Sequence, residues 1–429
     1  MPLTRRQFIK RSAAAATVGL VIPKLWLAEA RGQQAQANPN RKLVVIQLAG
    51  GNDGLNTVVP YSDSRYYSLR PTLAFRDVEL KTAEGATTII SDDFGLHPAL
   101  GQIKALYDQG RVAIVRGVGY PNSTLSHFLS MDIWHTAETT ARGDGWLGRY
   151  ADLALVGQSN LSAAAIGSVE LPRTFAASKV IVPNIINFSL YNFLADPNYP
   201  GDSANQINAF NESASRSFPA DTFLGAINNT AFESVSGAQR VQRFVNAYRS
   251  SVIYPKENPL AVGLQIVAQL LATMPETYLL YVQLNGFDHH SGQIGARDGS
   301  PNKLAGQHAT LLRWFAEAVR LFYDDLVEHN LAKDVVMMQW SEFGRRPGEN
   351  NSFGTDHGTA APMFIIGDPV SGGLFGEQPS LAATELDLAG NPKFKVDFRE
   401  VYATILDRWL GVDSRSVLGG KYPNVGFLT

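Results

Sequence analysis

The regular pattern of apolar segments begins at Leu43. Leu43-Val44-Val45-Ile46-Gln47-Leu48 is a short apolar run of buried-strand type, and it stops in the glycine-rich turn Ala49-Gly50-Gly51-Asn52-Asp53-Gly54. Residues 96–108 predict a helix, with Pro98 in its first turn and Leu96, Leu100, Ile103 and Leu106 on one face. Residues 111–118 predict a second strand, and 126–137 a helix after a Gly-Tyr-Pro-Asn turn. Residues 277–284 predict a strand that ends in Asn285-Gly286-Phe287-Asp288-His289-His290. Across 303–330, Leu304, His308, Leu311, Phe315, Val319, Phe322 and Leu326 trace one face of a long helix. Residues 334–340 and 361–366 read as strands, and 398–410 as a closing helix. Strands alternating with helices predict an α/β domain, its mostly parallel sheet covered on both faces.

The middle, about 155 to 275, is less regular. Strand-like pieces occur near 163–169 and 179–182, an Asn/Ser/Pro-rich loop spans 195–220, and helices are expected over 235–250 and 260–272. About 170–275 is therefore expected to be an insertion or cap on one domain covering 41–429. The first 40 residues stand outside this pattern. Thr4-Arg5-Arg6-Gln7-Phe8-Ile9-Lys10 has the paired arginines read by the twin-arginine translocase. An apolar stretch follows from Ala13 to Pro23, then Ala28-Glu29-Ala30, a small-x-small triplet suited to cleavage before Arg31. That stretch falls short of the roughly 20 apolar residues of a membrane span. Residues 1–30 thus read as a signal peptide and 31–40 as a linker, which predicts a periplasmic or extracellular protein without an integral span.

Composition narrows the chemistry. The 429 residues are 45% hydrophobic and 18% charged, with a formal net charge of -2, so no charge excess points to nucleic acid. Cysteine is absent, which excludes disulfides, thiolate ligands and a cysteine nucleophile. Any metal must be held by His, Asp, Glu or Asn, a donor set for hard or borderline cations.

Asp53, Asp288 with His289 and His290, and Glu342 each follow directly on an apolar strand. Ligands of parallel α/β sheets bind outside the carboxyl ends of the strands, so these residues are expected at one edge. Gly354-Thr355-Asp356-His357-Gly358 precedes the strand at Ala361 and is placed to fold over that edge. Clustered carboxylates repel one another unless positive charge lies between them, and one or two divalent cations (Zn, Mn, Mg or Ca) would supply it. The plainer readings are that Asp53 is only the turn residue of Asn-Asp-Gly and that each histidine is a satisfied polar group. Ser123, Thr124 and Ser126 lie between a strand and a helix, where a hydroxyl serves as an N-cap or as a nucleophile near an anion-binding helix terminus. Arg345 or Arg346 would hold a non-bridging ester oxygen, or form a solvated surface pair.

Several segments together resemble an exported bacterial family, domain of unknown function 1501. They are the twin-arginine leader, Gly50-Gly51-Asn52-Asp53-Gly54-Leu55-Asn56, Leu96-His97-Pro98, Ser126-His127-Phe128, Gly286-Phe287-Asp288-His289-His290, Ser341-Glu342-Phe343-Gly344-Arg345 and Gly354-Thr355-Asp356-His357-Gly358. The resemblance implies the alkaline-phosphatase/sulfatase superfamily, an α/β/α sandwich with a dinuclear metal site. It implies Asp53 as the first-strand metal aspartate, Asp288 and His290 as ligands of the other ion, and His357 as the last metal histidine. Glu342-Phe343 stands where an Asp-His pair is usual, so one imidazole is missing unless Asp356 or His289 replaces it. Ser126 is the first choice for the nucleophile within the family motif. The expected function is a metal-dependent hydrolase of a small or polymeric phosphate or sulfate ester. The alternative is a non-catalytic, metal-bearing binding protein of the cell envelope. No cysteine cluster, haem motif or dinucleotide fingerprint supports a redox enzyme.

Overall fold

The structure is a computed structural model. It describes residues 40–428 apart from 160, 169, 177–178, 187–197, 217, 219–221, 223, 226–227, 229–236, 238–239 and 242–246. Six of the runs found by pattern become strands of one nine-stranded sheet, which adds three short strands that the pattern did not place. The nine are β1 (Lys42–Ala49), β2 (Val112–Gly119), β3 (Ala163–Ile166), β4 (Asn184–Ile185), β5 (Leu279–Asn285), β6 (Val335–Trp340), β7 (Ala361–Ile366), β8 (Gly373–Phe375) and β9 (Val396–Asp397). The order is β8-β2-β7-β6-β1-β5-β3-β4, with β9 also on β2. β1 pairs parallel with both β5 and β6, in the register Val45↔Tyr281 and Val45↔Met338. Only β7 runs against its neighbours, antiparallel to β6 and β2.

Side chains alternate across each strand, so each strand feeds two cores. Val44, Ile46 and Leu48, with Leu280, Val282 and Leu284, pack under α2 (Gly101–Asp108), α5 (Pro259–Thr273) and α6 (Gln307–Glu328). Leu43 and Val45, with Leu279, Tyr281, Val336 and Met338, pack under α3 (His127–Thr136), α4 (Trp146–Ala154) and α7 (Phe398–Thr404). The result is the expected three-layer α/β/α arrangement around a mostly parallel sheet. A further short helix, α1 (Gly54–Thr57), follows the turn after β1.

Local departures have local causes. The helix expected from Leu96 starts later, because His97 precedes Pro98 and is held extended at φ -47° and ψ 137°. Gly95–Leu96 instead pairs with Val58–Val59, and Leu304 lies before α6 and is 44% exposed. The strand expected at 179–182 forms slightly later, as β4. The loop expected over 195–220 contains a helix, Ser203–Ala214, whose Ile207 and Phe210 give it only a weak apolar stripe among polar residues. The helix expected over 235–250 lies mostly outside the described residues. α7 passes into a six-residue π-helical stretch, Ile405–Leu410, which Gly411 ends at φ 75°.

Candidate metal centre

Topology decides which motifs meet. β1, β5 and β6 are parallel, so the segments after Ala49, Asn285 and Trp340 leave from one edge of the sheet. β7 is antiparallel, so the segment before Ala361 arrives at that same edge. β2 runs with β6, and Ala361 pairs with Val118, so the loop leading to α3 joins them. Two glycines allow the close approach. A Cβ on Gly50 (φ 117°) would lie 2.5 Å from the Asp288 nitrogen, and one on Gly51 (φ 71°) 2.4 Å from the Phe343 ring.

Ligand atoms of His127, Asp288 and His357 lie within 4.8 Å of one another. Each imidazole is fixed from behind. His357 Nδ1 lies 2.8 Å from the Leu125 carbonyl, which leaves Nε2 as a lone pair 3.1 Å from Asp288 Oδ1. His127 Nδ1 lies 2.8 Å from Glu342 Oε1, and its buried Nε2, 3.4 Å from Asp288 Oδ2, has no hydrogen-bond partner. This is the outer-shell arrangement that orients metal-binding histidines. The Glu342 hydrogen bond, opposed by burial, raises the His127 pKa. Burial alone would raise the Asp288 carboxyl, but the hydrogen bond and charge of the Arg345 guanidinium hold it well below the usual carboxylate range.

His290 stands at the rim. Its Nδ1 is 3.2 Å from Asp356 Oδ1, while Nε2 is 2.9 Å from His357 Nε2 and 3.2 Å from Asp288 Oδ1. With Nδ1–H turned to Asp356, three lone pairs face one another. Such a cluster needs a proton or a cation between them. The donor atoms present therefore fit a metal ion. Phe343 walls the cluster, its ring 4.8 Å from that of His127 and 4.7 Å from that of His357.

The other expected ligands are engaged differently. Glu342 is 1% exposed, and Oε1 accepts from the Gly50 N–H as well as from His127. It orients a ligand from behind. Asp356, with its side chain 53% exposed, supports His290 from outside. His289 points away into the interior, where burial lowers its pKa to about 4 and its Nε2 is unpartnered.

Asp53 is also elsewhere. Its Oδ2 meets Arg70 Nη1 at 2.6 Å, with side chains 2% and 0% exposed, and Gln293 donates to the same oxygen. Burial would raise the Asp53 carboxyl, but Arg70 outweighs it and brings the pKa down to about 2. His97 and His308 line the same interior, and desolvation lowers both, His97 to about 3. His308 Nε2 is 3.0 Å from Asn52 Oδ1.

Arg345 is 2% exposed and gives its donors to the protein itself. Nε and the two Nη atoms reach the carbonyls of Gly51, Gly50, Thr355 and Phe287, with Asp288 Oδ1 at 2.8 Å. These bonds tie the loops of the edge together. Ser126 is exposed and is the residue before α3, without a side-chain cap bond. Its N–H donates to Thr124 Oγ1 at 3.2 Å, and the buried Ser123 Oγ has no partner. Sequence reasoning singled out Ser126 in this motif but not its neighbour His127 as a ligand. The available signal was a histidine opening the helix that follows a strand.

Solved structures of similar fold include a protein in the alkaline phosphatase superfamily from Vibrio parahaemolyticus. It is 10% identical, with a TM-score of 0.36, over 97% of this chain and 78% of that one. The C-terminal periplasmic domain of EcEptC from Escherichia coli is 10% identical, with a TM-score of 0.40, over 90% and 85%. PsFucS1 sulfatase from Pseudoalteromonas sp. is 11% identical, with a TM-score of 0.36, over 91% and 72%. Such values transfer no chemistry. No curated protein matches the chain. Residues 40–421 match a family along almost the whole described length, and the chain belongs to that family, Protein of unknown function (DUF1501).

Proposed function

We propose that the protein is an exported metal-dependent hydrolase of a phosphate or sulfate ester, with a divalent cation held by His127, Asp288 and His357 and with His290 at the rim. The observation that carries this reading is the convergence of two imidazole Nε2 atoms on one carboxylate, within 4.8 Å, with the rings fixed by Glu342 and the Leu125 carbonyl. Two imidazoles and a carboxylate suit zinc or manganese better than magnesium or calcium, which prefer oxygen shells. When bound, such a cation supplies Lewis-acid polarisation of a phosphoryl or sulfuryl oxygen and offsets charge on the leaving oxygen.

The chain's own groups do the rest. Glu342 keeps His127 Nδ1 occupied, so Nε2 faces inward. Phe343 excludes water from one side of the imidazoles. Ser126 places a hydroxyl before a ten-residue helix, where exposed N–H groups favour an anionic oxygen. It attacks or orients the ester, with Ser123 and Thr124 as the next hydroxyls on the loop. Full-length protein purified after export should hold metal and turn over an aryl phosphate, phosphodiester or sulfate, and Asp288→Asn should lose both properties. Metal-loaded protein that is inert towards all three panels would sink the hydrolase reading.

The engagement of Arg345 favours a second reading, since all three nitrogens of that guanidinium donate to groups of the protein itself. A metal-bearing binding protein of the cell envelope needs no such anion clamp. Inert protein that retains one ion and binds an envelope polymer would select it. Export is proposed from Arg5-Arg6 and the segments after them. Replacing both arginines with lysine should leave the protein in the cytoplasm, as read by fractionation. Among the described residues, no helix is long and apolar enough to cross a membrane.

A further inference from the structure

We infer that the Asp53 end of the edge carries its own cation, Arg70, and that the protein holds one metal ion where the family resemblance implies two. The inference rests on the metal site proposed above and concerns the ligands that a second ion would require.

Three observations carry it. Arg70 is 0% exposed and fixed by four acceptors: Asp53 Oδ2 at 2.6 Å, Asn56 Oδ1 at 2.9 Å, the Pro347 carbonyl at 2.8 Å and the Arg346 carbonyl at 2.8 Å. A guanidinium so held cannot swing aside for a divalent ion, and its charge repels one. Glu342, the other carboxylate available to a second ion, already accepts at Oε1 from the Gly50 N–H and His127. Finally, Asp53 Oδ1 and His289 Nε2 are buried without partners. Yet the described residues bring together only one group of three or more His, Asp or Glu ligands, and it is His127, Asp288 and His357. Two orphan atoms, one of them on the carboxylate that a fixed cation already holds, do not make a metal site.

Asp288 meets an arginine too, but the outcome differs. Arg345 takes Oδ1, while Oδ2 faces His127 and the side chain remains 46% exposed. Arg345 positions a ligand there. Arg70 replaces an ion.

The test is metal content by elemental analysis of full-length protein loaded with Zn²⁺ or Mn²⁺. The expected results are about one ion per chain in the wild type, none in Asp288→Asn, and one in the paired variant Asp53→Leu/Arg70→Met. The pair removes both buried charges together, so that neither is left uncompensated. The Mn²⁺-loaded wild type should give an uncoupled electron paramagnetic resonance signal, which needs no variant to fold. Two ions per chain with a spin-coupled signal would overturn the inference and leave the metal-dependent reading standing. No ion at all would overturn both.

Discussion

The two halves of the sheet edge handle a carboxylate in opposite ways. Asp288 is half-exposed, ringed by imidazoles and steadied by Arg345, and it keeps an oxygen turned towards His127. Asp53 is buried, and the fixed charge opposite it is supplied by the chain. A carboxylate neutralised from within contributes to stability, whereas one that keeps an oxygen turned towards imidazole nitrogens offers a place for an external cation. Both aspartates follow an apolar strand and stand two residues after a glycine, so sharing a strand end does not guarantee sharing a function.

Breaking the buried pair tests this division most severely. Arg70→Met leaves Asp53 charged and unpaired in the interior, which is expected to cost about 3–5 kcal/mol in urea unfolding. The paired Asp53→Leu/Arg70→Met change should recover most of that loss. A cost below about 1 kcal/mol for the single change would show that Asp53 has another source of positive charge, and the contrast between the two halves would fail.

Acid attacks the buried side next. His97 and His135 are neutral in the interior with pKa values of about 3, lowered mainly by desolvation, against roughly 6.5 when unfolded. Between those values the unfolded chain binds more protons, so stability is full above the unfolded pKa and falls as pH drops towards the folded one. Each should cost about 2 kcal/mol at pH 5 relative to neutral pH. His135, 3.1 Å from the Tyr281 hydroxyl and remote from the Asp53 pocket, provides a control. His135→Leu should flatten the slope of stability against pH between 7 and 5 by its own share. An unchanged slope would mean that its ring is already charged or solvated in the native state.

Glu342→Gln probes the open side. The amide keeps the shape but presents a weaker acceptor to His127 Nδ1, and metal affinity should fall about 10–100-fold. Stability without metal should change little by comparison with Arg70→Met. Competitive titration with a chelator measures the first effect and urea unfolding the second.

Much of this was legible in the sequence, and the failures are instructive. β1, β5 and β6 are continuous apolar runs because both of their faces are buried, so their ends and the placing of Asp288 and Glu342 at one edge could be read directly. The direction of β7 could not be read from its six apolar residues, although that direction brings His357 to the edge. Arg70 carried no signal. It sits in Tyr-Tyr-Ser-Leu-Arg-Pro, and its link to Asp53 depends on how the chain folds back after α1. Glu342 was read as a ligand, and its Oε1 meets the Gly50 N–H and His127. A carboxylate that binds a metal and one that orients the binding imidazole look the same in one dimension. His127 was missed for the converse reason, since its neighbour Ser126 drew the chemical reading.

The smallest expected effect separates the two supports of the open cluster. Glu342 holds His127 from a buried position, whereas Asp356 holds His290 at 3.2 Å with both side chains about half-exposed. An exposed pair of this kind is worth about 0–1 kcal/mol, because water screens it and both side chains lose freedom to form it. Asp356→Asn should therefore weaken metal binding by less than about 5-fold, well short of the Glu342→Gln effect. His290 would then be a rim residue that follows the ion, with His127, Asp288 and His357 carrying the affinity. A loss of 10-fold or more would make His290 an equal fourth ligand that depends on its outer carboxylate. Burial alone would then not distinguish the groups that hold the metal from those that surround it.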